Sequence, residues 1–188
     1  NTDSTLQVSG NADRRSATLE KGEAFFQIKH DPSRPFVVSV GQQRIVDLGT
    51  KFAIRKTEAA VRVSLFEGSA KVENVGRSAD HSKILQPGDV AVATANAIRI
   101  SKSPLDSLRE DLAWRRGMIE FARATLAEAA TEFNRYNRTK VVIADPNIAR
   151  LTIHGTFPAQ DVLAFADAAQ AYFHLHAEKR NGAIVISR

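Results

Sequence analysis

Apolar and polar residues alternate along the first hundred residues. Between Arg34 and Gly68 four short alternating runs are separated by small polar breaks, and similar runs continue to Ser101. A period of two places the apolar side chains of a strand on one face. About ten short strands at this spacing predict an all-β meander that is built as a sandwich, barrel or prism. Residues 1–102 are therefore assigned to a β-rich domain.

The start of this domain is less regular. Residues 1–17 are polar except for Leu6 and Val8, which indicates a short edge strand followed by a loop. The next segment, Thr18–His30, reads as a hairpin whose turn is Lys21-Gly22, because glycine adopts turn conformations without a steric cost.

The pattern changes at Pro104. Ser103 is a suitable helix cap, proline suits the first helical turn, and three leucines follow at helical spacing up to Leu112. Gly117 ends this pattern. The sequence thus predicts a linker helix at residues 103–117, hinging two domains.

Residues 118–188 mix both periods. Thr125 and Glu128 have the spacing of a capping box, and Asn181-Gly182 between two apolar runs is a strong hairpin signal. The order is two β-α-β units and a final strand, which predicts a small α+β domain. The predicted elements are strands at Met118–Ala122, Lys140–Ala144, Leu151–Gly155, Tyr172–Ala177 and Ala183–Ser187, and helices starting at Leu126 and Asp161.

Composition limits the function classes. The 188 residues carry a net charge of +5, with hydrophobic and charged contents of 43% and 25% that are typical of a globular protein. The positive charges are spread singly, which argues against nucleic-acid binding. No cysteine is present, so disulfides and thiolate chemistry are excluded. No apolar run of about 18 residues occurs. Because the chain starts at Asn1 rather than at methionine, we expect a fragment whose targeting segment lies upstream.

Candidate chemistry is sparse. His174 and His176 lie two apart on a predicted strand, with Glu178 on the same face, but no third ligand is evident. The turn Pro87-Gly88-Asp89 resembles a cupin motif, which leaves a cupin-like metal enzyme as an alternative. The cupin His-x-His and Glu ligands are missing from the β-rich half, and no nucleophile elbow or phosphate loop is found. The sequence therefore predicts no enzyme, no catalytic residue, no metal and no cofactor.

Several motifs resemble the periplasmic region of FecR-type sigma-factor regulators. They are Arg34-Pro35-Phe36, Asp47-Leu48-Gly49-Thr50 with Phe52, the run Val63–Gly68, and Leu85-Gln86-Pro87-Gly88-Asp89. The C-terminal part resembles the short N-terminal signalling module of secretins and TonB-dependent receptors, through Phe121, Leu126, Phe133, Arg135-Tyr136-Asn137, Val142-Ile143, Ile153, Gly155, Phe157 and Ile184-Val185-Ile186. In that module two helices lie between two small sheets.

The resemblance implies a role in cell-surface signalling. It predicts the periplasmic part of a single-pass inner-membrane anti-sigma factor, which binds the N-terminal signalling domain of an outer-membrane TonB-dependent transporter in iron uptake. An envelope protease would act on the full-length protein, and a sigma factor would be held only by a missing N-terminal segment. The fragment itself is expected to contact neither nucleic acid nor membrane. A structural module of a secretin assembly remains a second alternative.

The partner site is predicted at strand edges, because an unpaired edge is a template for another strand. Two segments are candidates, Arg150–Gly155 and Ala183–Arg188. The predicted contact residues are Arg150, Thr152, His154, Ala183, Val185 and Ser187. If partner binding does not use these edges, the helix face around Arg135 is the next candidate.

Overall fold

The computed structural model describes residues 1–10, 15–47, 49–75 and 82–188. The chain divides into two compact units, Asn1–Arg109 and Glu110–Arg188. The predicted class, a β-rich part followed by a small α+β part, is confirmed. In the described parts of the chain, no helix is both long and apolar enough to cross a bilayer.

The described part of the first unit is a ten-stranded sheet. The strands are β1 (Thr5–Gly10), β2 (Arg15–Gln27), β3 (Phe36–Val40), β4 (Gln43–Asp47), β5 (Lys51–Lys56), β6 (Val61–Glu67), β7 (Ala70–Asn74), β8 (Ser82–Leu85), β9 (Asp89–Ala93) and β10 (Ile98–Lys102). Neighbouring strands follow the order β10-β9-β6-β5-β2-β3-β4-β7-β8, and β1 pairs with β2. Strands β2 and β3 are parallel, and the other pairs are antiparallel.

The hairpin predicted at Lys21-Gly22 is wrong. These residues lie inside the long strand β2, and Gly22 has φ +85°. The first half of β2 pairs with β1 and β3, whereas the half from Gly22 onward pairs with β5. Glycine is required because a Cβ there would collide with Ser4. The residue acts as a bend at which one strand passes from one part of the sheet to the other.

The core of this unit is formed by the inward residues of both halves of the sheet. The alternation predicted from the sequence is visible in β3 and β4, where buried and more exposed side chains alternate. The buried apolar residues are Ala17, Leu19, Ala24, Phe26, Val38, Val40, Ile45, Phe52, Ile54, Val61, Val63, Leu65, Ala70, Val72, Leu85, Ala91 and Ala93. The rings of Phe26 and Phe52 stack with centroids 5.0 Å apart.

Along the chain, β10 is followed by helix α1 (Leu105–Glu110) and then by a short 3-10 helix, Ala113–Arg116. The single predicted helix at 103–117 is thus two shorter pieces. Gly117 ends the second piece in the left-handed conformation, φ +74°, where its N–H donates to the carbonyls of Ala113 and Trp114.

The second unit contains two small sheets and three helices. Strands β11 (Met118–Thr125) and β13 (Thr152–Pro158) form an antiparallel pair. In the other sheet β15 (Ala183–Ser187) lies between β12 (Val141–Ile143), which is parallel to it, and β14 (His176–Arg180), which is antiparallel. The helices are α2 (Leu126–Tyr136), α3 (Pro146–Ala149) and α4 (Val162–Phe173).

Four phenylalanines hold this unit together. The ring of Phe133 on α2 stacks on Phe165 of α4 at 4.7 Å and contacts Phe121 and Phe157 at 6.1 and 6.0 Å. Two of the four rings come from the helices and two from the two-stranded sheet, so the cluster joins α2, α4, β11 and β13. Because Phe133 is fully buried and central to the group, it is the main packing residue of the unit.

The strand predicted at Tyr172–Ala177 is also wrong at its start. Helix α4 continues through Phe173 because Phe165, Ala169 and Phe173 follow at intervals of four. His174 then ends the helix in the left-handed conformation, φ 53°. His174 and His176 consequently do not share a strand face, and the predicted histidine pair does not form.

Candidate functional site: the open edge of strand β13

Strand β13 is paired on one side only. Its ladder runs along β11, and in the part of the chain that the structure describes no strand lies on its other side. Thr152, His154 and Thr156 are exposed, whereas Ile153 between them is 2% exposed. The predicted orientation of this segment, with Ile153 inward and Thr152 and His154 outward, is therefore confirmed.

The backbone of β13 presents hydrogen-bonding groups to this open side. At one end of the ladder Leu126 N–H donates to the Leu151 carbonyl at 2.8 Å, and at the other end Ala159 N–H donates to the Gly117 carbonyl at 2.8 Å. The next pair inward from each bond is Thr125 with Thr152 at one end and Met118 with Pro158 at the other. Because hydrogen-bonded and non-hydrogen-bonded pairs alternate in an antiparallel ladder, both of these are non-hydrogen-bonded pairs. Residues of such pairs direct their own N–H and C=O groups away from the partner strand. Thr156 lies two residues from Pro158 on the same strand, so its N–H and C=O groups also point away from β11.

An irregularity in the ladder shapes this edge. The register between β11 and β13 shifts between Phe121 and Ala124, so that β11 carries extra residues opposite His154. Gly155 lies beside this bulge with φ +133°, a conformation that side chains with a Cβ rarely adopt. Bulges bend the strand that carries the extra residue, so the irregularity changes the course of β11 opposite His154.

A reciprocal cap fixes the end of β11 relative to α2. Thr125 Oγ1 accepts from Glu128 N–H at 3.2 Å, and the Glu128 carboxylate accepts from Thr125 N–H at 2.8 Å. The predicted capping box is confirmed. The hydrogen bond from the Thr125 backbone, with a second from its hydroxyl, lowers the pKa of Glu128 below its usual value.

An aromatic ring stands beside the edge. Tyr172 on α4 is 66% exposed, and its ring centroid lies 6.4 Å from that of His154. Leu163, one of the other exposed large apolar residues of the unit, is on the same helix. Aromatic residues are enriched among the residues that dominate binding energies, so Tyr172 is a candidate contact residue that the sequence analysis did not include. The sequence analysis assigned Tyr172 to the start of a strand, whereas it lies in the last turn of α4.

The remaining predicted contact residues divide into two groups. Arg150 is exposed and follows α3 directly, at the start of the β13 edge. The second predicted edge, Ala183–Arg188, is wrong, because β15 is the central strand of its sheet. Val185 pairs with Val142 on one side and Glu178 on the other. Ala183 and Ser187 are likewise paired with β14, so no additional strand fits along β15.

The helix face around Arg135 has structural contacts. Arg135 forms an ion pair with Glu132 at 2.5 Å, and its guanidinium lies 5.8 Å from the centre of the Tyr136 ring. The Asn137 amide donates to the carbonyls of Phe133 and Ala159 at 2.9 and 2.7 Å. These bonds connect the end of α2 to the segment that follows β13.

The turns that carry the sequence motifs of the first unit also have structural contacts. The buried Asp47 carboxylate accepts from the Thr50 hydroxyl, and burial raises its pKa above the usual value despite hydrogen bonds from the Gly49 and Thr50 backbone. Leu48, inside this motif, lies outside the described residues. Asp89 accepts from Gln86 N–H at 2.7 Å, which closes the Pro-Gly turn. The described side chains of both turns therefore hold the backbone of the turns in place.

Metal chemistry finds no support among the residues that the structure describes. They contain no group of three or more histidine, aspartate, glutamate or cysteine side chains placed to hold an ion. The two histidines with the best sequence spacing are separated by the end of α4. The second unit presents an open strand edge with one exposed aromatic ring beside it.

Comparisons with known proteins agree with the sequence resemblance. Residues 1–71 match the family described as FecR protein, which confirms the resemblance over that stretch. Two crystal structures, at 1.65 and 2.50 Å, of a candidate anti-sigma factor from Parabacteroides distasonis ATCC 8503 have a similar fold. Each has a TM-score of 0.77 and 22% identity, and the match covers 100% of this chain and 88% and 87% of theirs. The chain matches no curated protein.

Proposed function

We propose that this chain, whose residues 1–71 carry the FecR family signature, is the periplasmic signal-receiving region of a membrane-anchored anti-sigma regulator. The family match supports a signalling regulator rather than an enzyme. The sheet unit serves as a rigid platform, and the second unit receives the signal. A sigma factor is held by a segment outside this sequence and is released after proteolysis of the full-length protein.

The partner that we assign to the second unit is the N-terminal signalling domain of an outer-membrane TonB-dependent transporter. One observation supports this assignment most: β13 has an unpaired edge whose outward N–H groups, at Thr152 and Thr156, are free of the β11 ladder. A partner strand added along this edge gains backbone hydrogen bonds, while exposed side chains such as His154 supply specificity. Transporter loading changes the regulator only if the partner favours one of its states.

The contact is expected to be small. One added strand with Tyr172 and Arg150 at its border buries less surface than a standard interface, and the edge carries few charges to steer association. We therefore expect a dissociation constant in the micromolar range, on the order of 1–10 µM.

Proline substitution tests the edge directly. Thr152→Pro and Thr156→Pro each remove one outward N–H without removing a bond of the β11–β13 ladder. Titration calorimetry with the transporter domain should show binding weakened at least about tenfold, since one lost hydrogen bond in a desolvated contact costs about 1.5 kcal/mol. Circular dichroism and melting temperature verify that each variant is folded.

The matched control is Thr156→Val, which changes the same side chain but keeps its N–H. It should bind within about twofold of the parent. Equal binding by the folded proline variants would overturn strand addition at β13. A second control, Val185→Pro, disrupts a strand that is paired on both sides, so it should unfold the unit rather than weaken binding selectively.

A further inference from the structure

The open strand edges of this protein are not equally protected. In the first unit the described strands with one partner are β1, β8 and β10. Natural sheets protect such edges with charged residues or proline. Strand β10 carries Arg99 and Lys102, and β8 carries Lys83, whereas β1, with the sequence TLQVSG, carries neither a charge nor a proline. Strand β1 is therefore an unprotected edge of the β-rich unit.

The side chains of β1 are also only partly covered. Leu6 and Val8 pair with Leu19 and Ala17, so they lie on the core face of the sheet. Their partners are 0% and 1% exposed, but Leu6 is 41% exposed and Val8 71%. The apolar face of the sheet thus continues beyond the closed core onto β1. On the opposite face Gln7 donates a hydrogen bond to Glu20 at 2.6 Å, which adds to the backbone pairing of β1 with β2.

The pattern of β1 is complementary to itself. In an antiparallel pair of two β1 strands related by a twofold axis at Gln7, Leu6 of each copy faces Val8 of the other on the core face. Thr5 faces Ser9 on the other face, together with the two Gln7 side chains. Apolar pairs stabilise an antiparallel ladder, and no like charges are brought together. A twofold axis gives a closed contact that uses the same surface of both copies.

We propose that β1 pairs with β1 of a second copy of this chain, joining the two sheets across a twofold axis at Gln7. The occupant is a second copy because the edge lacks the charge that would select a charged partner, and because its own register matches apolar with apolar residues. A six-residue ladder buries a small area, so the dimer is weak, with a dissociation constant on the order of 100 µM. This site is separate from the β13 edge, and its failure would leave the proposed function unaffected.

Single cysteines test the register, since the natural chain contains no cysteine. Opposed residues of an antiparallel pair have the separation that a disulfide needs. Gln7→Cys should give a disulfide dimer under mild oxidation at 100 µM protein, at least tenfold faster than Ser9→Cys. An equimolar mixture of Thr5→Cys and Ser9→Cys should cross-link mainly as the mixed dimer. Gln42→Cys, in an exposed turn, reports random collisions.

Sedimentation equilibrium supplies a test without cross-linking. Gln7→Lys places two like charges opposite each other across the axis, yet it keeps β1 attached, because lysine pairs with Glu20. Self-association should weaken at least tenfold and recover in part in 1 M salt, which screens the repulsion. Gln42→Lys is the matched control and should associate as the parent does. A parent that stays monomeric to 1 mM, or equal cross-linking of Gln7→Cys and Ser9→Cys, would refute the proposal.

Discussion

Truncation of Phe133 should destabilise the second unit selectively. Its ring is fully buried and contacts three other phenylalanine rings with centroids between 4.7 and 6.1 Å away. Phe133→Ala removes these contacts and leaves a cavity, which costs about 3–5 kcal/mol. A unit of about 80 residues has a total stability of about 8 kcal/mol. The variant should therefore retain the fold while losing about half of this stability.

Hydrogen exchange followed by mass spectrometry measures this effect segment by segment. In Phe133→Ala, the slowest amides of residues 110–188 should exchange at least about 100-fold faster, as about 3 kcal/mol requires, because their exchange reports global opening of the unit. Amides of the sheet unit should keep their protection. The same measurement tests the proposal that the chain has two domains, 1–102 and 118–188, joined by the linker at 103–117.

The matched control is Phe52→Ala, which removes a fully buried ring from the core of the first unit. It should accelerate exchange in that unit and leave residues 110–188 protected. If either variant accelerated exchange equally in both units, the division into independently stable domains would be refuted. If Phe133→Ala cost less than about 1 kcal/mol, the central role of this ring in the packing would be wrong.

Four further perturbations have defined outcomes. Thr125→Ala should cost about 1 kcal/mol in urea unfolding, through loss of the cap; no change would refute the cap's contribution. Gly49 has φ +98° and a Cβ there would collide with the His30 side chain, so Gly49→Ala should lower the free energy of unfolding by more than about 2 kcal/mol. Gly182→Ala, with no atom within 4 Å of the added Cβ, should lower it by about 1 kcal/mol. Equal losses would refute the steric argument. Burial opposes ionisation of Asp89, but hydrogen bonds from a lysine and a backbone N–H outweigh it and lower its pKa. The group therefore stabilises the fold above pH 3.8 and loses this effect as the pH falls through its lowered pKa. Asp89→Asn should lower the free energy of unfolding by about 1.5 kcal/mol at pH 7 and progressively less below pH 4. A difference from the parent that stayed the same at every pH would contradict this. Brief trypsin treatment should cut first after an exposed arginine of the linker, Arg115 or Arg116; a first cut within a sheet would count against a hinge there.

Local chemistry determined the parts of the fold that were predicted correctly. Thr125 and Glu128 satisfy each other's backbone groups within one turn, and Asn181-Gly182 adopts the two positive φ angles that a tight hairpin needs. The alternation in β3 and β4 places their apolar side chains on one face. Each of these signals is contained in a few neighbouring residues, so the sequence carries it without reference to the rest of the chain.

Pairing between distant segments decided the rest. Gly22 reads as a turn, but the pairing of β2 with β1, β3 and β5 makes it a bend inside one strand. Val185 reads as part of a terminal edge, yet a parallel pairing with β12, more than 40 residues away, makes β15 the central strand of its sheet. Of the two edges predicted from the sequence, only the one on β13 therefore lacks a second neighbour among the described strands. A period-two pattern indicates which face of a strand is buried, but it does not indicate which strand lies beside it. Every residue except proline offers the same backbone N–H and C=O groups, so these groups carry no information about the partner strand. The sequence therefore proposed two candidate edges, and the tertiary structure decided between them by showing which of the two strands lacked a second neighbour.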